Sequence, residues 1–325
     1  MKAWQVTALG EPVDVMRIAD DVAVPEPGAG QVLVRVHAVA LNFPDVLMCR
    51  GLYQVRPPLP FTPGVELCGT VAAVGADVSA PGVGDRVLGS PIGGGLAEFA
   101  LMAATDALPA PAALSDAQAS AFHIAYQTGW FGLHRRAALK AGETLLVHAA
   151  AGGVGSAAVQ LGKAAGARVI GVVGGPAKAA VAKELGADLV IDRRTEDIVA
   201  AVKGATGGRG ADVIYDPVGG DAFAKSTKCI AFEGRLLVIG FASGDIPSAL
   251  ASHALVKNYS VVGLHWGLYK QYDPASIADA HNALSTLATE GVAVPLVSAV
   301  MPFESAPDGL ASLAAGETTG RVVVS

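Results

Sequence analysis

Three glycines that follow one apolar segment could bind a diphosphate. Leu145–Val147 is predicted to be a buried strand, and Gly152, Gly153 and Gly155 follow it, before a helix-forming stretch that begins at Ser156. A strand that turns tightly into a helix leaves backbone N–H groups unpaired, and the helix dipole adds positive potential at the same place. Without side chains in the way, such a turn can hold the phosphates of a nucleotide.

The spacing of these glycines fits a dinucleotide-binding pattern with one departure. In G-x-G-x-x-G the three positions fall on Ala150, Gly152 and Gly155. Alanine at the first position is compatible with the turn only if that residue does not need a positive φ. The alternative is an α/β domain that uses the glycines only for close packing. We favour the nucleotide site because this is the first strand–helix turn of its unit, where the ligand crevice forms.

The elements that would position this turn alternate along the chain. Strands are predicted at 145–147, 168–173, 189–191, 211–215, 235–240 and 259–264, with helices at 156–165, 177–185 and 195–202. Apolar strands that alternate with amphipathic helices at this spacing predict a parallel, doubly wound sheet.

The residues before about 111 have a different pattern. Short β-type segments at 31–41, 65–74, 86–88 and 96–102 are separated by turns rich in proline and glycine, which predicts a small β-rich, barrel-like domain. Ser115 and Gln118 have the spacing of a capping box before a long helix that runs towards Arg136. We expect residues 1–121 and 265–325, with a terminal strand at 320–325, to form the β-rich domain, and residues 122–264 to form the sheet domain.

Composition excludes several classes of protein. The chain has 325 residues, of which 52% are hydrophobic and 16% charged, enough for two cores, but no apolar run could span a bilayer. Its N-terminus lacks the apolar core of a signal peptide. Cys49, Cys68 and Cys229 are scattered and odd in number, which predicts a reducing, cytoplasmic location. A net charge of −6 argues against nucleic acid as the main partner.

The end of the second strand indicates which dinucleotide would bind. A carboxylate there binds the ribose 2′-hydroxyl of NAD and repels the 2′-phosphate of NADP. Here the strand ends at Val173 and Gly174 with no acid, while Lys178, Arg193 and Arg194 follow. Each cation alone could equally be a solvated surface charge. Together with the missing acid, they favour NADPH, because a guanidinium can hold a phosphate by paired hydrogen bonds.

These residues and others resemble the zinc-independent quinone oxidoreductases (the zeta-crystallin-like family) of the medium-chain dehydrogenase/reductase superfamily. The matching segments are Leu41–Asp45, Arg50–Tyr53, Pro63–Glu66 with Gly69, Tyr126–Thr128, Ala149–Gly155, Gly234–Phe241 and Gly320–Val324. The resemblance covers essentially the whole chain. It implies an α/β protein with a β-rich GroES-like catalytic domain and a Rossmann NADPH-binding domain. It also implies NADPH-dependent quinone reduction and a homodimer, for which residues 259–264 offer an exposed sheet edge.

The comparison with zinc enzymes of that superfamily predicts that no metal binds. Asn42 stands where those enzymes have a ligating cysteine, and Val65 where they have a ligating histidine. Neither an amide nor a valine replaces such a ligand. Without a Lewis acid, a simple ketone is a poor substrate, because nothing stabilises the developing alkoxide. A quinone or another electron-poor conjugated carbonyl spreads that charge over its own π-system.

The resemblance also assigns residues to the site. Asn42, Asp45 and Tyr53 are the catalytic candidates, and Tyr53 is the best side-chain candidate for a proton donor, although water could serve instead. Arg193 falls where relatives often place a tyrosine on the 2′-phosphate. The cofactor-binding candidates are Asn42, Thr128, Gly152, Gly153, Val154, Gly174, Lys178, Arg193, Gly240, Phe241, Leu264 and Trp266.

Two other functions are compatible with this sequence. One is an enoyl-type reductase of α,β-unsaturated carbonyls or thioesters, for which Arg50 and Arg56 are the nearest candidates to bind a carrier phosphate. The other is a non-catalytic NADPH-binding protein. In every case we expect a small-molecule ligand and no membrane partner.

Overall fold

The computed structural model describes all 325 residues. They form two units, and the boundaries of these units differ in part from the predicted ones. Met1–Ile124 and Val294–Ser325 form the first unit, and Ala125–Ala293 form the second. The predicted return to the first domain at residue 265 therefore occurs at residue 294. Within the second unit, Gln127 Nε2 donates to the carbonyl of Ile277 (3.1 Å), and Arg135 pairs with Asp273 (2.7 Å). These contacts keep residues 265–293 with the sheet unit.

Fifteen strands and twelve α-helices make up the two units. The strands are β1 Ala3–Val6, β2 Met16–Ala19, β3 Gln31–Ala40, β4 Leu67–Val74, β5 Arg86–Gly89, β6 Phe99–Ala103, β7 Leu108–Pro109, β8 Thr144–His148, β9 Arg168–Val173, β10 Leu189–Asp192, β11 Ala211–Asp216, β12 Ile230–Val238, β13 Ser260–Gly263, β14 Val297–Met301 and β15 Arg321–Val324. The helices are α1 Pro12–Val15, α2 Phe43–Cys49, α3 Asp116–Ser120, α4 His123–Trp130, α5 Gly153–Ala164, α6 Pro176–Glu184, α7 Ile198–Ala205, α8 Gly220–Cys229, α9 Ala251–Lys257, α10 Tyr269–Tyr272, α11 Pro274–Thr289 and α12 Ala306–Ala314. None of these helices combines the length and apolar character needed to cross a membrane.

The second unit contains the predicted doubly wound sheet. Its six strands are all parallel and lie in the order β10-β9-β8-β11-β12-β13. The central strands are buried on both faces, as in β8, where every residue is buried. The strand order reverses direction between β8 and β11, so the turn after β8 lies where ligands of such sheets bind.

The first unit confirms the β-rich prediction. β14, β15, β3, β4, β5 and β7 are hydrogen-bonded in that order, β6 also pairs with β3, and β1 pairs with β2. The terminal strand is present as β15, which adds to β3 through Val323 and Ala40. Its buried core includes Val34, Leu67 and Val87.

The capping box forms as predicted, but the long helix after it does not. Gln118 N donates to Ser115 Oγ (3.2 Å), and Ser115 N donates to Gln118 Oε1 (3.0 Å). The helix then ends at Ser120, because the N–H of Ala121 turns to the carbonyl of Gln118, a tighter turn than an α-helix makes. A second helix, α4, starts at His123 and continues into a π-helical segment at Phe131–Arg136.

Candidate functional site

The glycine turn after β8 has the close backbone approach that the sequence pattern predicts. Gly152 immediately precedes α5, and Gly153 and Val154 are the first two residues of that helix. A Cβ on Gly155 would overlap the carbonyl oxygen of Ala149. Because the first N–H groups of a helix have no acceptor within it, the turn leaves several donors and no side chain at its start.

The alanine in the first position of the pattern satisfies the condition set for it. The positive φ of the turn, 49°, belongs to Ala149, and Ala150 is not among the residues with positive φ. A non-glycine residue in this region carries strain of about 1–2 kcal/mol. The Ala149 carbonyl accepts a hydrogen bond from Gly152 N (2.8 Å), which closes the turn.

The cations predicted to hold a 2′-phosphate lie together at the end of β9. The Arg193 guanidinium lies about 3.3 Å from the position that a Cβ on Gly174 would occupy, and Arg194 Nη1 lies 3.0 Å from the corresponding position on Gly175. Partial burial lowers the pKa of Lys178, and the charges of Arg194 and Arg193 lower it further. The pocket therefore concentrates positive charge beside a residue that has no side chain.

Sequence reasoning missed an acid in the same pocket. Asp192 ends β10 and lies beside Val173 in the sheet register. Its Oδ1 accepts from Gly175 N (2.9 Å) and from Arg194 N (3.0 Å), and these hydrogen bonds, in that order, lower the pKa of the carboxyl. The second strand does lack an acid, but the neighbouring strand supplies one. The available signal was the position of Asp192 at the carboxyl end of a strand predicted to be parallel to β9.

The remaining cofactor candidates in the second unit lie on other elements or just after them. Thr128 lies on α4 and is buried. Gly240 and Phe241 follow β12, and Leu264 follows β13, where its N–H donates to Val238 O (3.1 Å). Trp266 starts a short 3₁₀ turn, with Lys270 Nζ 5.4 Å from the centroid of its ring. Their roles toward a nicotinamide stay predictions.

In the first unit, Asp45 holds two loops in place. Its Oδ2 accepts from Asn42 N (2.9 Å), and its Oδ1 accepts from Gly64 N (2.8 Å). The side chain is fully buried, and burial raises the pKa of Asp45 to about 6. Because both oxygens are bound to the backbone, this geometry indicates a positioning role. The catalytic role of Asp45 stays a prediction that the geometry does not support.

Asn42 is oriented by a buried ion pair that sequence reasoning did not single out. Its Nδ2 donates to Ala40 O (3.0 Å) and to Glu66 Oε1 (2.8 Å). Glu66 also accepts from Ile124 N (2.9 Å) and pairs with Arg321. Glu66 was noted only as part of a motif, and no local pattern connects it to a residue 255 positions away.

Tyr53 and Arg50 differ from their predicted use. Burial raises the pKa of the half-buried Tyr53 hydroxyl, and the charge of Asp45 raises it further, so Tyr53 is a weaker acid than free tyrosine. Arg50 is bound to Glu11 through two hydrogen bonds, Nε to Oε1 (2.9 Å) and Nη2 to Oε2 (2.8 Å). Tyr53 is therefore a weaker proton donor, and Arg50 a less available ligand for a carrier phosphate, than the sequence predicts.

Comparisons with known proteins match both units. Residues 28–112 match the alcohol dehydrogenase GroES-like domain, and residues 153–286 match the zinc-binding dehydrogenase family. The quinone oxidoreductase-like protein 2 homolog of Nematostella vectensis is 39% identical over 99% of this chain and 88% of its own length. The Escherichia coli quinone oxidoreductase complexed with NADPH is 31% identical, with a TM-score of 0.92 over 100% of this chain and 99% of that chain.

A third similarity is to part of a much larger protein. The mycocerosic acid synthase-like polyketide synthase of Mycobacterium tuberculosis is 34% identical over 92% of this chain, which corresponds to 14% of the synthase. The sequence of this chain is thus also similar to a portion of a much larger protein.

The zinc that one of these family descriptions implies does not fit the residues present. Asn42 and Val65 occupy the two positions compared with zinc ligands above, and neither side chain is a zinc ligand. No group of three or more His, Cys, Asp or Glu side chains lies close enough together to hold a metal ion. The residues at the glycine turn and beside Gly174, in contrast, fit a phosphorylated dinucleotide.

Proposed function

Since this chain belongs to the quinone oxidoreductase family of the medium-chain dehydrogenase/reductase superfamily, we propose that it reduces a quinone, or a similar electron-poor conjugated carbonyl, with NADPH and without a metal. One observation carries the choice of cofactor. Arg193 lies beside Gly174, and Lys178 is close enough to Arg194 and Arg193 for their charges, after burial, to lower its pKa. A single charged residue would be ordinary surface, whereas a cation pair beside a bare backbone fits a phosphate.

Different residues would bind the diphosphate and the 2′-phosphate of the cofactor. The amides at the start of α5 and the side-chain-free surface of Gly152, Gly153 and Gly155 would hold the diphosphate, and Arg193 and Lys178 would hold the 2′-phosphate. When bound, NADPH supplies a hydride from its nicotinamide ring.

The acceptor must stabilise its own negative charge. The side chains of the candidate site do not form a set of metal ligands. The raised pKa of Tyr53 makes its hydroxyl a poor proton donor near neutral pH. A quinone needs neither group during hydride transfer, because its conjugated carbonyls spread the charge, and solvent can supply the proton afterwards. Within the first unit, Glu66 holds the Asn42 amide as a fixed polar group.

Removing the two cations tests the cofactor assignment. We expect K178A/R193A to raise the KM for NADPH about tenfold or more, because two charge-assisted contacts to the phosphate are lost, while the KM for NADH changes little. Steady-state kinetics with both cofactors would measure this. R168A removes an exposed arginine from the opposite end of β9 and serves as the matched control. Equal effects on the two cofactors would refute the assignment.

The function itself is tested by NADPH oxidation with 1,4-benzoquinone and 9,10-phenanthrenequinone, alongside an α,β-unsaturated ketone and an enoyl thioester. We expect the quinones to give the highest kcat/KM, and prolonged chelation to leave the rate unchanged. A rate lost on chelation and restored by zinc would contradict the metal-free mechanism. Tight NADPH binding without any acceleration would favour a non-catalytic NADPH-binding protein.

An enoyl-type reductase is the second candidate, favoured by the similarity to a polyketide synthase. A thioester carrier would bring a phosphate that needs cations at the substrate end. Arg50 is neutralised by Glu11, which leaves Arg56 as the remaining candidate of the two. For that reason we rank this function behind quinone reduction.

We also propose that the chain forms a homodimer through the edge of its six-stranded sheet. β13 is the edge strand, and α9, which precedes it, exposes 78% of both Leu255 and Val256. Exposed apolar residues beside an unpaired strand edge mark a site of association.

Charges placed on α9 should therefore change the oligomeric state. We expect L255E/V256E to convert a dimer to a monomer, because the buried interface would have to desolvate two carboxylates. Sedimentation velocity at several concentrations would measure this. V83E changes another exposed valine (65%), in the first unit, and should leave the dimer intact. A wild-type protein that is monomeric at all concentrations would contradict the proposal.

A further inference from the structure

A carboxylate lies among the cations proposed to hold the 2′-phosphate. Asp192 Oδ1 accepts hydrogen bonds from Gly175 N (2.9 Å) and Arg194 N (3.0 Å). Gly175 immediately precedes α6, so this carboxylate caps the start of a nine-residue helix. An internal anion thus occupies a backbone donor of the kind that a bound phosphate would otherwise use.

The acidic side chains of this pocket partly offset the charges of its cations. After its backbone hydrogen bonds, Arg194 and Arg193 contribute to the lowered pKa of Asp192, and after burial they also lower the pKa of Lys178, so both arginines interact with the acid and with the lysine. A second acid is close, since Glu196 Oε1 accepts from Asp192 N (2.8 Å). The pocket is therefore less positive than its three cations suggest.

A carboxylate beside the adenosine ribose has opposite effects on the two forms of the cofactor. It can accept a hydrogen bond from a free 2′-hydroxyl, and it repels a 2′-phosphate. In most doubly wound folds the second strand supplies this acid. Here the second strand ends in glycine, and Asp192 reaches the same strand end from β10, one strand away.

We infer that Asp192 is a specificity-determining residue that limits the preference of this chain for NADPH and allows NADH to bind as well. Arg193 and Lys178 attract the 2′-phosphate, and Asp192, which accepts a hydrogen bond from Gly175 N, opposes it. The inference rests on the proposed function, because it takes the adenosine ribose to lie beside Gly174.

The test uses binding of adenosine fragments, so it does not depend on turnover. Isothermal titration of the intact protein with adenosine 2′,5′-bisphosphate and with ADP gives the ratio of the two affinities. In D192N the ratio is expected to shift towards the bisphosphate by about fivefold, the size of one partly screened charge interaction. Asparagine keeps an oxygen that can accept from Gly175 N, so the loop should stay in place. D192S repeats the test with a smaller neutral acceptor.

E196Q is the matched control, because it removes a charge from the same turn without touching Gly175. Its ratio should change less than that of D192N. An unchanged ratio in both Asp192 variants, or a shift towards ADP, would overturn the inference and show that the carboxylate only braces the arginines. Wild-type protein that binds neither fragment would overturn the proposed function together with the inference, whereas wild-type binding without the shift overturns the inference alone.

Discussion

Replacing Gly155 with alanine is expected to lower the affinity for NADPH at least about 100-fold. The added Cβ would overlap the carbonyl oxygen of Ala149 and stand 3.1 Å from Cα of Ala150. Both neighbours are backbone atoms of the turn that should grip the diphosphate, so the turn must move. A displacement of about 1 Å in a binding group is enough for an effect of this size.

The matched control for G155A is G204A. Gly204 is also a helical glycine, on α7, but a Cβ there meets nothing within 4 Å. Because alanine favours a helix more than glycine does, G204A should bind NADPH normally and be more stable by up to about 1 kcal/mol. Titration of NADPH fluorescence would measure both affinities. Normal NADPH binding by a folded G155A would remove the glycine turn from the site.

The second large effect is expected on stability. E66A should lower the free energy of unfolding by about 3–5 kcal/mol, because it leaves the Arg321 guanidinium buried without its counter-ion. It also removes one of the two acceptors of Asn42 Nδ2 and the acceptor of the Ile124 N–H. Urea unfolding followed by circular dichroism would measure the change.

Two variants separate charge from packing in this network. E66L/R321L removes both charges of the pair and should be more stable than E66A, since neither partner is left as an unpaired buried ion. E11A breaks an exposed ion pair with Arg50 in the same unit and should cost at most about 1 kcal/mol. If E66A costs no more than E11A, the buried pair does not stabilise the first unit as argued.

A change of pH should alter the stability of the first unit through Asp45. Its pKa in the folded protein is raised to about 6 from the ordinary 3.8, so the folded state binds the proton more tightly than the unfolded chain does. The contribution of Asp45 to stability is therefore most favourable below about pH 4, and it declines as the pH rises through 6. The ionised carboxylate is tolerated at neutral pH because two backbone N–H groups donate to it.

Some elements could not be predicted because their sequences lack a local signal. Helix α8 begins at Gly220, directly after Gly219, and both glycines have positive φ. The helix has no side-chain cap and no clear apolar stripe before Phe223. Its formation depends on burial of Phe223 and Cys229 against the sheet. The break at Ala121 is similar, because the capping box and the alanine-rich stretch both favour a continuous helix.

The parallel sheet, the β-rich unit and the glycine turn could be predicted from the sequence, because each depends on periodicity or on residue types within a few positions of one another. Three other features became visible only in the folded structure: the hydrogen bond of Asp192 with Gly175, the pairing of Glu66 with Arg321 behind Asn42, and the place of residues 265–293 in the second unit. Each of these arises from contacts between residues on different elements of the fold. The energy of such contacts depends on burial and on charges brought together by folding, and neither is written in any local pattern.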